Sequence, residues 1–127
     1  MEFKMIEKQV FNAMCLAASK ITAQILEEID NTLMKQRDKK IFRSKGKKAT
    51  TIKTIYGNVE YRRQMYLDNN GNARYLLDEY MNTKETGMYS INLIEKVVKA
   101  ATEESYRKAA EQLNDTTGNN ISHTAVW

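Results

Sequence analysis

Apolar side chains recur every three or four residues from residue 5 to about residue 36, and no proline interrupts the run or occurs elsewhere in the chain. Ile6, Val10, Met14, Ala17, Ile21, Ile25, Ile29 and Leu33 follow the 3.6-residue period of a helix. Phe11, Ala18, Leu26 and Met34 widen the stripe. A chain of 127 residues has room for one ordinary domain or two very small ones. The remainder of such a chain is short of surface to cover so long a stripe. The spacing therefore predicts pairing of this helix between subunits, giving a homo-oligomer, or packing on further sequence. Cys15 lies beside the stripe and is the single cysteine, so an internal disulfide is excluded and a buried, inert thiol is expected.

The period changes at residue 50. Thr50-Thr51-Ile52-Lys53-Thr54-Ile55-Tyr56 is β-branched and aromatic, as strands are. Gly57-Asn58 and then Val59 to Tyr66 complete the pattern of a hairpin with its turn at Gly57-Asn58. Alternation puts Val59, Tyr61, Arg63 and Met65 on one face and Glu60, Arg62, Gln64 and Tyr66 on the other. Arg62 and Arg63 thus point to opposite faces, and only one can line a given surface. Asp68 to Asn72 is a second turn signal, and a third strand is expected from about Ala73 to Leu76. The first helix is the obvious cover for this sheet. Tyr61, Tyr66 and Tyr75 are expected to pack within it. Asp78 and Glu79 have no His or Cys at ligand spacing and read as a turn or helix start.

Charge is unevenly spread. Lys plus Arg number 20 and Asp plus Glu 16, a net of +4. Nine of the cations fall between residues 35 and 53, with Asp38 the one acid among them. They are Lys35, Arg37, Lys39, Lys40, Arg43, Lys45, Lys47, Lys48 and Lys53. Such a block concentrates positive potential and attracts phosphate, and it equally suits a solvated linker. Gly46 suggests a loop there.

The last third reads as helical. Ser90 can cap a helix over residues 91–102, whose apolar face is Ile94, Val97, Val98 and Ala101. Ser105 can cap a second, Tyr106 to Leu113, with Arg107 and Lys108 at its start. Residues 114–120 are turn-rich, and Ser122 can cap a third helix that the chain end at Trp127 leaves truncated. Three helices in this order match a helix-turn-helix. Ser122 would then bind phosphate, His123 and Thr124 would approach base edges, and Arg107 and Lys108 would clamp the backbone of double-stranded DNA. The expected fold is α+β: a long N-terminal helix packed with a small antiparallel sheet of two to three strands in residues 1–85, then a helix-turn-helix-like subdomain in residues 86–127.

Several runs occur in an order that resembles a known family. They are Thr50 to Arg63, Tyr66, Tyr75-Leu76-Leu77-Asp78-Glu79, Ser105 to Ala110, and Ile121 to Trp127. Together they resemble the bacterial insertion-sequence transposases of the ISLre type, formerly grouped as an uncharacterised protein family. The likeness is specific from about residue 50 and general in the first helix. It implies an N-terminal portion that binds the terminal repeats of a mobile element. It also implies that catalysis belongs to a later metal-dependent domain, so Asp78 and Glu79 are not promoted to catalytic acids.

Other classes recede. No apolar run approaches the roughly 20 residues needed to span a bilayer, and the start lacks the pattern of a secretory signal. A cytoplasmic, nucleoid-associated protein is expected, with no membrane partner. One histidine, one cysteine and no clustered acids argue against an enzyme, a metal site, a cofactor or a small-molecule substrate in these residues. The rival readings are a helix-mediated oligomerisation module and an inert, truncated mobile-element remnant.

Overall fold

The computed structural model describes residues 2–117. Helix α1 runs Phe3–Gln36, strand β1 Arg43–Thr54 and strand β2 Gly57–Leu67. Strand β3 is Ala73–Arg74, helix α2 Leu76–Met81 and helix α3 Ile91–Thr117. The strands form one antiparallel sheet in the order β1-β2-β3. The class is α+β, with the long first helix packed on the small sheet as expected. Contacts divide the chain into two units, Met1–Ser90 and Ile91–Trp127. Residues 86–90 stay with the first unit because the Lys53 N–H donates to Met88 O at 2.9 Å and the Ser90 N–H to Lys53 O at 2.8 Å.

The 34 residues of α1 give a rod about 51 Å long. Its apolar stripe does not run straight. A four-residue step overshoots a full turn by about 40°, so the row Ile21, Ile25, Ile29, Leu33 winds around the helix. Ile29 and Leu33 reach the sheet, where they pack beside Leu26 against Ile52, Val59, Tyr61 and Leu77. The earlier part of the stripe, including Ile6, Val10 and Met14, stays exposed. Phe3, Phe11 and Leu16 are exposed as well. Cys15 is only half-buried, against the expectation of a buried thiol, because it lies ahead of the part of α1 that the sheet covers.

The hairpin turn falls two residues earlier than the sequence suggests. Thr54 pairs with Gly57, which leaves Ile55-Tyr56 as the tip. Thr54 Oγ1 accepts from the Tyr56 N–H and donates to Gly57 O, so the threonine closes the turn. Gly57 follows at φ 117°, a conformation open to glycine, and so begins β2 instead of making the turn. Tyr56 then reaches Thr22 of α1, hydroxyl to hydroxyl at 2.6 Å.

Burial along β2 first alternates and then becomes continuous. Val59 and Tyr61 are buried while Glu60 and Arg62 are exposed; Arg63, Gln64 and Tyr66 are all buried. The change coincides with a bulge in β1. Lys45 and Gly46 of β1 together face the single Met65, with Gly46 at φ 99°. At this irregularity the Gln64 N–H donates to Asp30 Oδ2 at 3.0 Å, and the Gln64 amide donates to Ser44 Oγ. Burial raises the Asp30 carboxyl above its ordinary range, while the Gln64 N–H and the charges of Lys47 and Arg63 pull it back. Tyr66 meets the edge of Phe42 at 6.3 Å between centroids and carries the Arg37 guanidinium 5.4 Å from its ring centre.

Arg63 and Asp78 make the ion pair of the core. The guanidinium donates to Oδ1 at 3.4 Å and Oδ2 at 3.2 Å. It also donates to Lys48 O and Ala49 O and lies 3.9 Å from the Tyr75 ring centre. This pins the first turn of α2 to the sheet. Asp78 and Glu79 are thus helix-start residues with structural partners; Glu79 takes both Nε and Nη2 of Arg74. Asp68 closes the loop to β3 by accepting from the Asn70 and Asn72 N–H groups, each at 2.9 Å.

In the second unit the two short helices expected over 91–102 and 106–113 are one continuous helix, α3, of 27 residues. Ser105 does not cap. Its hydroxyl donates back to Ala101 O at 3.1 Å, as Thr102 does to Val98 O, so neither competes for an N-terminal N–H. With no proline or glycine between Ile91 and Thr117, nothing stops the helix at residues 103–105. The expected third helix lies outside the described residues.

Candidate nucleic-acid interface

The part of the basic block around Gly46 is a strand, not the loop that Gly46 suggested. Lys35 lies in the last turn of α1, Lys39 and Lys40 in the turn after it, and Arg43, Lys45, Lys47, Lys48 and Lys53 in β1. Lysine is not a strong strand former. What holds this segment extended is its ladder to β2, in which Lys47, Lys48 and Ala49 stand opposite Gln64, Arg63 and Arg62. Gly46 serves the bulge.

Strand β1 is an edge of the sheet, and all five of its cations are exposed. Eight of the nine cations from Lys35 to Lys53 are exposed, and among the described residues none of the eight is in a salt bridge. Lys53 does pass over the Tyr89 ring, 5.3 Å from its centre. Lysines on an edge strand also keep it from pairing with other chains.

Arg37 differs from the rest. It is half-buried at the end of α1, where its Nε donates to Phe42 O at 3.0 Å and its Nη1 to Met34 O. Those bonds satisfy one carbonyl in the last turn of α1 and one just ahead of β1, and they hold the guanidinium over Tyr66. Arg37 is therefore held inside the fold.

Register and alternation assign the exposed face of the hairpin. Ile52 pairs with Val59 and Thr50 with Tyr61 on the inner face. The outer face then carries Lys47, Ala49, Thr51 and Lys53 from β1, and Asn58, Glu60 and Arg62 from β2. Arg62 was not among the interface residues expected from sequence. The signal was present, since alternation separates it from Arg63: one arginine is spent on Asp78, and the other is exposed without a hydrogen bond or ion pair among the described residues.

The remaining expected residues are placed as follows. Arg107 and Lys108 are exposed on α3, within it and not at a helix start, and Arg107 Nη1 is 3.8 Å from Glu104 Oε2. Ser122, His123 and Thr124 lie outside the described residues. Among the described residues no three or more His, Cys, Asp or Glu side chains gather to hold a metal ion. No described helix is long and apolar enough to cross a membrane.

Fold and surface together define a small α+β module: a helix-backed antiparallel ribbon with a basic edge. The chain belongs to UPF0236, an uncharacterised protein family, which it matches over residues 1–127. No curated protein matches it, and no solved structure does.

Proposed function

We propose that residues 1–127 are a DNA-binding portion of a mobile-element transposase and contribute no catalytic step themselves. Support for the transposase context comes from the resemblance in residues 50–127 to ISLre-type transposases and from membership of UPF0236. The observation that carries the DNA reading is the exposed basic strand. Eight accessible cations, none of them in a salt bridge among the described residues, would exchange with the counterions of duplex DNA. Asp38 is bound to its own turn, with Oδ1 accepting from the Lys40 N–H at 2.9 Å. The basic ribbon supplies affinity; sequence reading by a helix-turn-helix would need the residues around Ser122, His123 and Thr124. The test is binding to an element-end duplex and a scrambled duplex across a salt series. Steep loss of binding with salt supports the reading, and no binding at low salt refutes it.

A second reading has its own observation. Val10, Met14 and Ile21 are 53%, 64% and 56% exposed on α1, and residues 9–19 carry no charge. Helix-mediated pairing of two copies would cover this face and would set two DNA-binding ribbons on one assembly, as paired element ends require. Sedimentation as a monomer at high concentration would refute it.

A further inference from the structure

We propose that the outer face of the β1–β2 ribbon enters the major groove of DNA and that Arg62 is its base-reading residue. The inference rests on the DNA-binding reading above and gives it a docking geometry. Three observations carry it. From Lys47 opposite Gln64 to Thr54 opposite Gly57 only β1 and β2 pair, β3 joining β2 at Tyr66 and Leu67 alone, and a B-form major groove, about 12 Å wide, admits a two-stranded antiparallel ribbon. The inner face is committed to the helices at Ile52, Val59 and Tyr61, and Gln64 and Tyr66 are buried too, so the part of the outer face open to docking runs from Ala49 to Lys53 with Arg62 opposite. The outer face also has a fitting profile. Its middle is low on β1, with Ala49 directly opposite Arg62 and Thr51 opposite Glu60. Lys47 and Lys53 stand on β1 on either side of that step. The two lysines suit the phosphates that border a groove.

Arg62 stands beside the smallest side chain of that face and is exposed. Its five N–H donors form a rigid fork that matches the O6 and N7 acceptors of guanine. Arg63 cannot do this, because its fork is taken by Asp78 and the Lys48 and Ala49 carbonyls. Glu60 lies two residues away on the same face of β2. It repels phosphate and accepts from the exocyclic amine of cytosine, so it fits a groove floor better than a backbone.

The experiment uses the 127-residue chain, a randomised duplex library and guanine-N7 methylation protection. Arg62→Lys keeps the charge but loses the planar fork. Lys39→Ala removes a charge outside the ribbon. The expected result is that the unsubstituted chain enriches guanine-containing sites and shields their N7 atoms. Arg62→Lys then loses about tenfold or more of the preference for the enriched site over bulk duplex while bulk binding changes little. Lys39→Ala weakens both equally and leaves the preference intact. The proposal is overturned if the chain binds duplex DNA without N7 shielding, or if Arg62→Lys keeps the preference. Absence of any binding at low salt overturns the DNA-binding reading itself. All variants are checked for an unchanged melting temperature, which an exposed substitution should preserve.

Discussion

Replacing Asp78 by Ala should be among the most damaging single substitutions in the first unit. Asp78 is 2% exposed and Arg63 9%, so the substitution leaves a guanidinium buried without its counter-charge. Breaking a buried pair from one side costs about 3–5 kcal/mol. Arg63 keeps two backbone carbonyls and the Tyr75 ring, which places the cost near the lower end, about 3 kcal/mol. Loss of an acid from the first turn of α2 adds a few tenths, about 0.3 kcal/mol or more. For a unit of this size the melting temperature should fall by about 12 °C or more. The assay is thermal and urea unfolding monitored by circular dichroism. Arg63→Met combined with Asp78→Leu removes both charges and should lie within about 1 kcal/mol of the starting protein or above it. A drop of less than about 1 kcal/mol for Asp78→Ala, or a double variant as unstable as the single, would refute the reasoning.

Three further outcomes follow from the same geometry. Burial raises the Asp30 carboxyl, so its charged form opposes folding; the unfolded chain ionises first, and stability falls as pH rises from the ordinary carboxylate range to the raised one. Relative to Asp30→Asn, the unsubstituted chain should therefore gain urea stability as pH is lowered through that window, and a loss there would contradict the assignment. The Tyr61 hydroxyl is buried with no hydrogen-bond partner among the described residues, and burial pushes the phenol up to about 12. Tyr61→Phe should change stability by less than about 1 kcal/mol and abolish one late phenolate step in an alkaline absorbance titration; a larger loss would mean the hydroxyl is satisfied. Met14→Glu places a charge on the exposed apolar face of α1, so sedimentation should shift from dimer to monomer with stability altered by no more than about 0.5 kcal/mol, and an unchanged sedimentation profile would rule out pairing through this face.

The sequence carried the architecture better than its boundaries. The first helix was legible because one period ran unbroken through it. Ile29 and Leu33 lie on the part of α1 that the sheet covers, while Val10 and Met14 lie ahead of it. The strand hidden in Arg43 to Lys48 was not legible, since lysine and Gly46 favour loops locally and only pairing with β2 extends them. Gly57 misled the placement of the turn, because glycine serves as well just after a hairpin tip as within it. The break expected at residues 103–105 failed because a serine within a helix can bond its own preceding turn. For the interface, the cluster of cations was legible, but the internal use of Arg37 and the exposure of Arg62 needed the partners. Alternation had separated Arg62 from Arg63; an arginine sharing a strand face with Val59 and Tyr61 was a sign of the buried pair with Asp78.

The central claim is that the exposed basic ribbon binds duplex DNA, and the salt dependence of binding tests it most directly. A plot of log affinity against log salt should have a slope of about −0.9 per phosphate neutralised, reaching about −7 if all eight exposed cations of the block engage. Replacing Lys45, Lys47 and Lys48 by Gln should flatten that slope by nearly three such increments. A shallow slope, or one that the triple substitution leaves unchanged, would contradict the account.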